Sequence, residues 1–239
     1  MAGHSKWANI KHKKAKQDQA RGRIFTRLSK EITMAARHGG GDPDLNFRLR
    51  LAVNEAKDNN MPNDTIDKAI KRGIGALGGD NIEEVVYEGY GPSGVAIMIN
   101  ALTDNRNRTA GEVRFIFSKS GGNLGTDGCV AWMFDRQGVI LADNPKNIPE
   151  DDILMAALEG GAIDVEIEDD VEVLVQPDDL EAVEKTLSEM GLKVTHAEIV
   201  LQPQNTIDLS GEDQEKLEKL LESLEDNDDV QNVFHNANL

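Results

Sequence analysis

The sequence predicts an α+β protein of three domains: an N-terminal three-helix domain followed by two ferredoxin-like α+β domains, the third inserted in the second. Three observations predict this class. Apolar residues recur at helical spacing in the first 80 residues, hairpin and strand patterns begin near Ile82, and the segment 138–202 has the order β-α-β-β-α-β. A chain of 239 residues is long enough for two or three domains.

The first domain, residues 1–80, is predicted to consist of helices. Ile24, Leu28 and Ile32 recur at helical spacing, and the pattern stops at three consecutive glycines. A second helix is expected between residues 42 and 58, and a third between 63 and 73, where glycine follows two basic residues. Because each helix has one apolar face, the three are expected to form a small bundle.

The second domain is predicted from two separate segments, 81–136 and 204–239. Either segment alone has too few strands to cover a sheet face, so we expect the two to pair with each other. The elements expected in it are a hairpin around the turn 91–94, a helix over 107–119, strands over 129–134, 206–209 and 230–235, and a leucine-rich helix opened by Ser210.

The third domain, residues 137–203, is predicted as an acidic insert in the second domain. Its alternating strand patterns and two helical patterns have their own turn signals. The expected elements are strands over 138–142, 163–167, 171–175 and 194–202 and helices over 150–159 and 178–190. The order matches a ferredoxin-like unit.

Charge is distributed unevenly along the chain. The net charge is −17, but residues 1–80 carry 16 Lys+Arg against 9 Asp+Glu, whereas residues 137–239 carry 5 against 27. Such asymmetry favours a nucleic-acid-facing N-terminal end and an acidic remainder that keeps the protein in solution. Domains with independent surface charges are the alternative.

The basic residues of the N-terminal domain follow a pattern. Lys16, Arg23, Lys30 and Arg37 recur every seven residues, with Arg27 beside them, and residues 1–37 contain ten basic side chains against two acidic ones. A seven-residue repeat drifts only about 20° per repeat on an α-helix, so these cations form one stripe. We expect this stripe to face solvent or phosphate. A solvated helix face or a disordered arm is the alternative.

The candidate binding residues fall into three groups. The predicted nucleic-acid-binding residues, which are cationic or able to stack on bases, are Lys6, Trp7, Lys11, His12, Lys13, Lys14, Lys16, Arg21, Arg23, Arg27, Lys30 and Arg37. A secondary basic patch comprises Arg106, Arg108, Arg114 and Lys119, for which a solvated surface is an equal alternative. Met61 and Pro62, an apolar pair in a polar loop, are either a partner-binding loop or a hydrophobic staple.

Two sequences match the dinucleotide fingerprint G-x-G-x-x-G, one beginning at Gly73 and one at Gly89. The fingerprint requires a strand before it and a helix after it, so that a pyrophosphate meets the helix N-terminus. Here the first follows a predicted helix and the second precedes a predicted strand. We therefore predict a linker and a hairpin turn at these positions.

No set of catalytic residues is recognisable. The chain has no phosphate-loop lysine, no G-x-S-x-G nucleophile elbow and no helical histidine pair at metal-binding spacing, and its single cysteine, Cys129, cannot form an intramolecular disulfide. We predict a non-enzymatic protein without catalytic residues, metal, cofactor or small-molecule substrate. A metal-dependent enzyme using the C-terminal carboxylates and a protein-interaction adaptor are the alternatives.

The apolar content also bears on location. Hydrophobic residues make up 39% of the chain, which is typical of a globular protein, and no apolar run is long enough for a secretory signal or a spanning helix. These features predict a cytoplasmic protein without a membrane partner.

Several long segments resemble a known family. The segments MAGHSKWANIKHKKAKQDQARGRIF, MPNDTIDKAI, YEGYGPSGVAIMI, DNRNRTAGEVRFIFSKSGGNLG and GCVAWMF together resemble the YebC/PmpR family, which includes relatives of the mitochondrial translational activator of cytochrome c oxidase. The resemblance extends over the whole chain. It implies a helical N-terminal domain, two α+β domains and a role in gene expression without catalysis.

The resemblance implies two alternative functions. Members have been treated as DNA-binding transcriptional regulators, and others as ribosome-associated translation factors that relieve elongation stalls, for example at consecutive prolines. For this chain it implies that the basic N-terminal residues contact DNA or ribosomal RNA, and that Met61 and Pro62 belong to a loop for a ribosomal or RNA partner. The residues themselves do not separate DNA from RNA, because no recognition helix or RNA-binding aromatic strand motif is evident.

Overall fold

The computed structural model describes residues 21–78, 81–168 and 170–239. The α-helices in these ranges are α1 (Arg21–Gly39), α2 (Phe47–Asp58), α3 (Asn63–Gly73), α4 (Arg106–Lys119), α5 (Glu150–Glu159), α6 (Leu180–Met190) and α7 (Glu212–Glu225). The strands are β1 (Glu83–Tyr90), β2 (Ala96–Thr103), β3 (Asn123–Leu124), β4 (Phe134–Asp143), β5 (Ala162–Ile167), β6 (Val171–Val175), β7 (Lys193–Pro203), β8 (Ile207–Asp208), β9 (Val230–His235) and β10 (Ala237–Asn238). The predicted α+β class, with helices first and sheets after, is confirmed.

The chain forms two compact units. One ends at Met133 and resumes at Pro203–Leu239, and the other covers Phe134–Gln202, where the sequence predicts an insert over 137–203. The first unit contains α1, α2 and α3 together with the second domain. Because β9 pairs with β2 across the insert, this sheet is complete only when the C-terminal segment returns to it.

The first three helices bury their apolar faces against one another. Leu28 and Ile32 of α1 share a core with Leu49 of α2 and Ile66 of α3. These residues are almost inaccessible to solvent, and burying each such side chain stabilises the fold by about 1.5–3 kcal/mol. The predicted helical bundle is therefore held by an aliphatic core.

Asn46 fixes the turn between α1 and α2. Its side-chain oxygen accepts the N–H of Leu49 at 3.1 Å, which caps α2, and its amide group donates to the carbonyls of Ala35 and Gly40, both at 2.8 Å. A Cβ at Gly39 would lie 2.6 Å from the Asn46 side chain. Glycine at that position is thus required by the close approach of the cap.

The second domain contains a four-stranded antiparallel sheet in the order β3-β1-β2-β9. Helices α4 and α7 contribute Phe117 and Leu217 to the core that covers one face of this sheet, where they join Ile97 and Ile99 of β2. The hairpin strands β1 and β2 lie side by side at the centre. Among the strands of the described ranges, β8 pairs with β10 alone, in a separate two-stranded sheet, so the strand predicted at 206–209 does not join the main sheet.

The strand predicted over 129–134 is wrong. Ala131–Met133 form a 3₁₀ turn, Phe134 begins the first strand of the insert, and the edge of the sheet is the short strand β3. The physical reason is a buried carboxylate. Glu88 accepts the backbone N–H groups of Gly128, Val130 and Ala131 at 2.6, 2.9 and 2.8 Å, so these donors are not available for strand pairing.

The insert forms the predicted unit with two helices and four strands. Its sheet has the order β5-β6-β4-β7, and the chain runs β4-α5-β5-β6-α6-β7, as predicted for a ferredoxin-like unit. Ile153 of α5 and Leu187 of α6 are fully buried, as are Ile140 and Val173 of the sheet. The helices predicted at 150–159 and 178–190 are observed as α5 and α6.

Both glycine-rich matches to the dinucleotide fingerprint lie in turns. Gly75 follows α3 with φ +79°, and Gly94 has the same φ in the tight turn between β1 and β2. Such positive φ angles favour glycine. The linker and the hairpin turn predicted from the sequence are confirmed.

Candidate nucleic-acid interface

The cationic stripe of α1 lies opposite the apolar face of that helix. Leu28 and Ile32 point into the helical core, which leaves Arg23, Lys30 and Arg37 on the other side of α1. The heptad spacing read from the sequence therefore describes the helix correctly. What the stripe contacts is a separate matter.

The described cations of this stripe contact the protein itself. The guanidinium of Arg23 pairs with Asp226, Arg27 Nη2 donates to the carbonyl of Gln231 at 2.5 Å, Lys30 Nζ donates to Asp229 Oδ1 at 2.5 Å, and Arg37 Nη1 donates to the carbonyl of Ile82 at 2.7 Å. Arg27, Lys30 and Arg37 are therefore tied to the folded chain rather than facing solvent or phosphate as expected, whereas Arg23 is paired but remains 46% exposed. Their partners lie 45 to 204 positions away along the chain, so no local pattern indicated them.

Two of these four partners, Asp226 and Asp229, belong to the segment between α7 and β9. We call residues 226–229, with the sequence Asp-Asn-Asp-Asp, the acidic turn. Lys30 contacts it twice, through Asp229 and through the carbonyl of Asp228 at 2.9 Å. For Arg23 and Lys30, carboxylates of the folded chain thus occupy the positions that phosphates were expected to occupy.

Asp229 is the centre of this contact. Its side chain is 4% exposed and accepts hydrogen bonds from Lys30 at 2.5 Å, Arg108 at 2.7 Å, Thr109 at 2.6 Å and Thr103 at 3.1 Å. Burial raises the pKa of Asp229, but the hydrogen bonds from Lys30, Thr109 and Arg108 outweigh it and lower the pKa to about 2. The carboxylate therefore stays ionised and joins α1 to the second domain.

A second set of ion pairs joins the same two domains. Arg48 of α2 donates to Glu31 of α1 at 2.7 Å and to Glu84 of β1 at 2.6 Å. Nearby, Met34, Ile82 and Leu102 form a small buried apolar cluster. Helix α1 is consequently packed against the second domain as well as against α2 and α3.

The secondary basic patch is divided by the structure. Arg108 pairs with Asp104 and Asp229, so its place in a free patch is corrected: the side chain is part of the Asp229 network. Arg106, Arg114 and Lys119 are exposed and form no ion pair with any residue in the described ranges. These three cations remain available to an external anion.

An exposed aromatic side chain lies among the available cations of α4. Phe115 is 66% exposed, because Thr109, Val113 and Phe117 take the buried face of this helix. Phe115 and Lys119 are one helical turn apart and share a side of α4. We call Phe115 and Lys119, together with the adjacent Arg114, the α4 face; Arg106 lies on the opposite side of the helix.

A third basic surface lies on α3 and was missed by the sequence reasoning. Lys68, Lys71 and Arg72 are exposed at spacing i, i+3 and i+4, which places them on one side of the helix, and they form no ion pair with a described residue. We call these residues the α3 patch. In the sequence, Lys71 and Arg72 were attributed to compensation of the helix dipole at the end of the third helix. Their spacing of three and four residues from Lys68 was the signal that could have identified a basic patch.

The remaining candidates are divided between described and undescribed positions. Met61 is 4% exposed and packs in the helical core, as the staple alternative expects, whereas Pro62 is exposed. Arg21 begins α1, and its side chain lies outside the described part. Also outside the described residues are Lys6, Trp7, Lys11, His12, Lys13, Lys14 and Lys16.

Within residues 21–78, 81–168 and 170–239, no group of three or more His, Cys, Asp or Glu side chains is arranged to hold a metal ion. None of the helices in these ranges is long and apolar enough to cross a membrane.

The fold is that of a multidomain α+β protein. Its helical N-terminal domain carries exposed cations, and its second domain is interrupted by an acidic inserted domain. The chain belongs to the TACO1/YebC family. The family model of the N-terminal domain matches residues 5–76, and the model of the second and third domain matches residues 82–237. The resemblance stated from the sequence is confirmed.

Individual relatives agree over their full length. A probable transcriptional regulatory protein of Thermoanaerobacter pseudethanolicus is 54% identical, with 100% of this chain and 98% of the relative covered, and one of Caldanaerobacter subterraneus is 55% identical, with 100% and 99% covered. The crystal structure of a conserved hypothetical protein from Aquifex aeolicus is 46% identical, with a TM-score of 0.85 and 98% and 96% of the two chains covered.

Proposed function

We propose that this chain is a non-enzymatic regulator of gene expression that binds nucleic acid. The proposed contacts are the basic residues between Lys6 and Lys16, called the N-terminal arm, together with the α3 patch and the α4 face. The relatives with more than half of their residues identical are named probable transcriptional regulatory proteins, which supports a transcriptional role and a role without catalysis. The physical observation that carries the proposal is the presence, on α3 and α4, of exposed cations that pair with no carboxylate of the described residues.

The distribution of charge makes the first 80 residues the attractive end for a polyanion. Residues 1–80 carry seven more basic than acidic side chains, even though part of the α1 stripe is paired internally. The predicted arm residues Lys6, Lys11, Lys13, Lys14 and Lys16 add to the cations of α3. Contacts of this kind release counterions and give salt-dependent, largely sequence-independent affinity.

The test uses two triple charge reversals on the full chain. The first, Lys68→Glu, Lys71→Glu and Arg72→Glu, changes the α3 patch. The control, Lys146→Glu, Lys185→Glu and Lys193→Glu, makes the same change of charge on the insert. Affinity for a labelled DNA duplex, measured by fluorescence anisotropy at several salt concentrations, is expected to fall for the first variant, with the log-log salt slope reduced by about one per lost phosphate contact.

Two outcomes would contradict the proposal. Equal affinity losses in both variants would mean that net charge alone attracts DNA, and unchanged affinity in the first would remove α3 from the interface. Circular dichroism of both variants separates loss of binding from loss of fold.

A role in translation is the second candidate, and one observation favours it. Phe115 is an exposed aromatic ring beside exposed cations, the combination that stacks and holds unpaired bases, as found in RNA loops. Phe115→Ala is expected to weaken binding of a single-stranded RNA several-fold and to leave duplex DNA binding unchanged. Co-sedimentation with ribosomes, compared with duplex DNA binding at one salt concentration, decides between the two targets.

A further inference from the structure

The insert exposes a group of apolar side chains that its own core does not use. Helix α5 buries Ile153 and Ala157, but Leu154, Met155 and Leu158 are between 38% and 60% exposed. Leu154 and Leu158 lie one helical turn apart. Clusters of exposed apolar residues, unlike single ones, mark interaction sites.

The apolar group continues onto the neighbouring strand. Strand β5 begins three residues after α5 ends and contacts that helix, and its Ile163 is 46% exposed. The pairing register between β5 and β6 is irregular between Ala162 and Asp164, which places Ile163 in a bulge. We call Leu154, Met155, Leu158 and Ile163 the α5–β5 face.

The backbone of β5 provides a second feature of this face. In the sheet order β5-β6-β4-β7, β5 is an edge strand, and among the described strands it pairs only with β6. The outer side of an edge strand presents N–H and C=O groups that can pair with another extended chain. An added strand would place every second side chain on the same side of the sheet.

The charge around the face restricts what can occupy it. Exposed acidic side chains surround the apolar group: Asp151, Asp152 and Glu159 on α5, and Asp164 and Glu166 on β5. The whole insert, residues 134–202, has 18 Asp+Glu against 4 Lys+Arg. Like-charge repulsion disfavours nucleic acid, an anionic membrane surface and a second copy of the insert, and it favours a cationic polypeptide.

We propose that the α5–β5 face binds a basic, extended polypeptide segment of another protein in which apolar and Lys/Arg residues alternate. The backbone of the segment pairs with the free edge of β5. Its apolar side chains contact the four apolar residues of the α5–β5 face, and its basic side chains lie near Asp164 and Glu166. This site is separate from the nucleic-acid-binding residues and does not depend on them.

The test uses the full chain and a labelled peptide of alternating lysine and valine. The variant Met155→Ser with Leu158→Ser removes two apolar contacts of the face. Its matched control, Leu45→Ser with Leu77→Ser, removes two exposed apolar side chains from the first unit. Fluorescence anisotropy is expected to show a Kd at least about tenfold higher for the α5–β5 variant and a change below about twofold for the control.

Four results would overturn the proposal. A peptide of alternating glutamate and valine that binds equally well would exclude charge recognition. Equal Kd values for the variant and the control, or no saturable binding up to about 1 mM peptide, would exclude the face as the site. Sedimentation velocity that shows self-association lost only in the Met155→Ser, Leu158→Ser variant would assign the face to a second copy of the chain.

Discussion

The cations of α1 and those of α3 have the same chemistry and similar helical spacing, yet they differ in what they contact. Lys30 is held by a buried carboxylate and a backbone carbonyl, whereas Lys68 and Lys71 are exposed and lack an ion pair among the described residues. A basic stripe in a sequence therefore does not by itself indicate a binding surface. The cations of the stripe can bind an external anion only if the fold does not bring carboxylates from elsewhere in the chain to pair with them.

The same comparison assigns different roles to the two helices. Removal of a cation from α1 should change the stability of the first unit, and removal of a cation from α3 should change the affinity for nucleic acid. Substitutions in α1 and the acidic turn test the first role, and substitutions in α3 test the second.

The largest expected effect is that of Asp229→Ala. The substitution leaves Lys30, Thr103 and Thr109 without their acceptor in a buried position, and breaking a buried ion pair on one side costs about 3–5 kcal/mol. Urea unfolding followed by circular dichroism measures the loss in the free energy of unfolding. A loss below about 1 kcal/mol would show that the acidic turn does not hold α1.

Lys30→Met separates stability from binding. It removes one charge-assisted hydrogen bond to Asp229, while Arg108 remains, so the free energy of unfolding is expected to fall by about 1.5–3 kcal/mol. The salt slope of DNA binding by the folded variant should stay unchanged.

The triple α3 variant should show the reverse, a stability change within about 0.5 kcal/mol for each substitution and a reduced salt slope. Loss of affinity in folded Lys30→Met protein would contradict the contrast.

Acid should weaken the first unit. The pKa of Asp229 is lowered from 3.8 to about 2, and that of Glu88 is also lowered, because its three backbone hydrogen bonds outweigh the effect of burial, which raises it. A carboxyl with a lowered folded pKa contributes stability above its unfolded pKa and loses it as the pH falls through the folded pKa. Urea unfolding is expected to show a decline from about pH 4.5 toward pH 2.

The acid prediction has a direct control. In Asp229→Asn the part of the pH dependence due to this residue is absent, so the decline should be shallower than in the original chain. An identical slope in both proteins would assign the acid sensitivity to other carboxylates.

The smallest expected effect is that of Arg23→Ala. The pair between Arg23 and Asp226 is about half exposed on both sides, and exposed ion pairs contribute about 0–1 kcal/mol. We expect the free energy of unfolding to change by less than about 1 kcal/mol, and the change to disappear at high salt. A larger loss would place Arg23 with Lys30 as a structural residue.

Local patterns in the sequence were sufficient for most of the elements. The leucines of α7 and the alternating valines of β6 have periods that only one kind of element satisfies, and the helices of the insert lie where the pattern predicts them. The prediction of a strand at 129–134 was wrong because the side chain of Glu88, 40 or more positions away, accepts backbone N–H groups in this segment. These bonds hold the segment in a turn.

The sequence by itself determined the helices, most of the strands, the α+β class, the family and the uneven charge. The tertiary structure alone decided which cations are free, that Met61 lies in the core, and that Phe115 does not. The physical reason is how far apart along the chain the interacting residues lie. Periodicity acts between neighbours along the chain, whereas Arg23 and Asp226 are 203 positions apart and meet only because β9 returns to β2 across the insert.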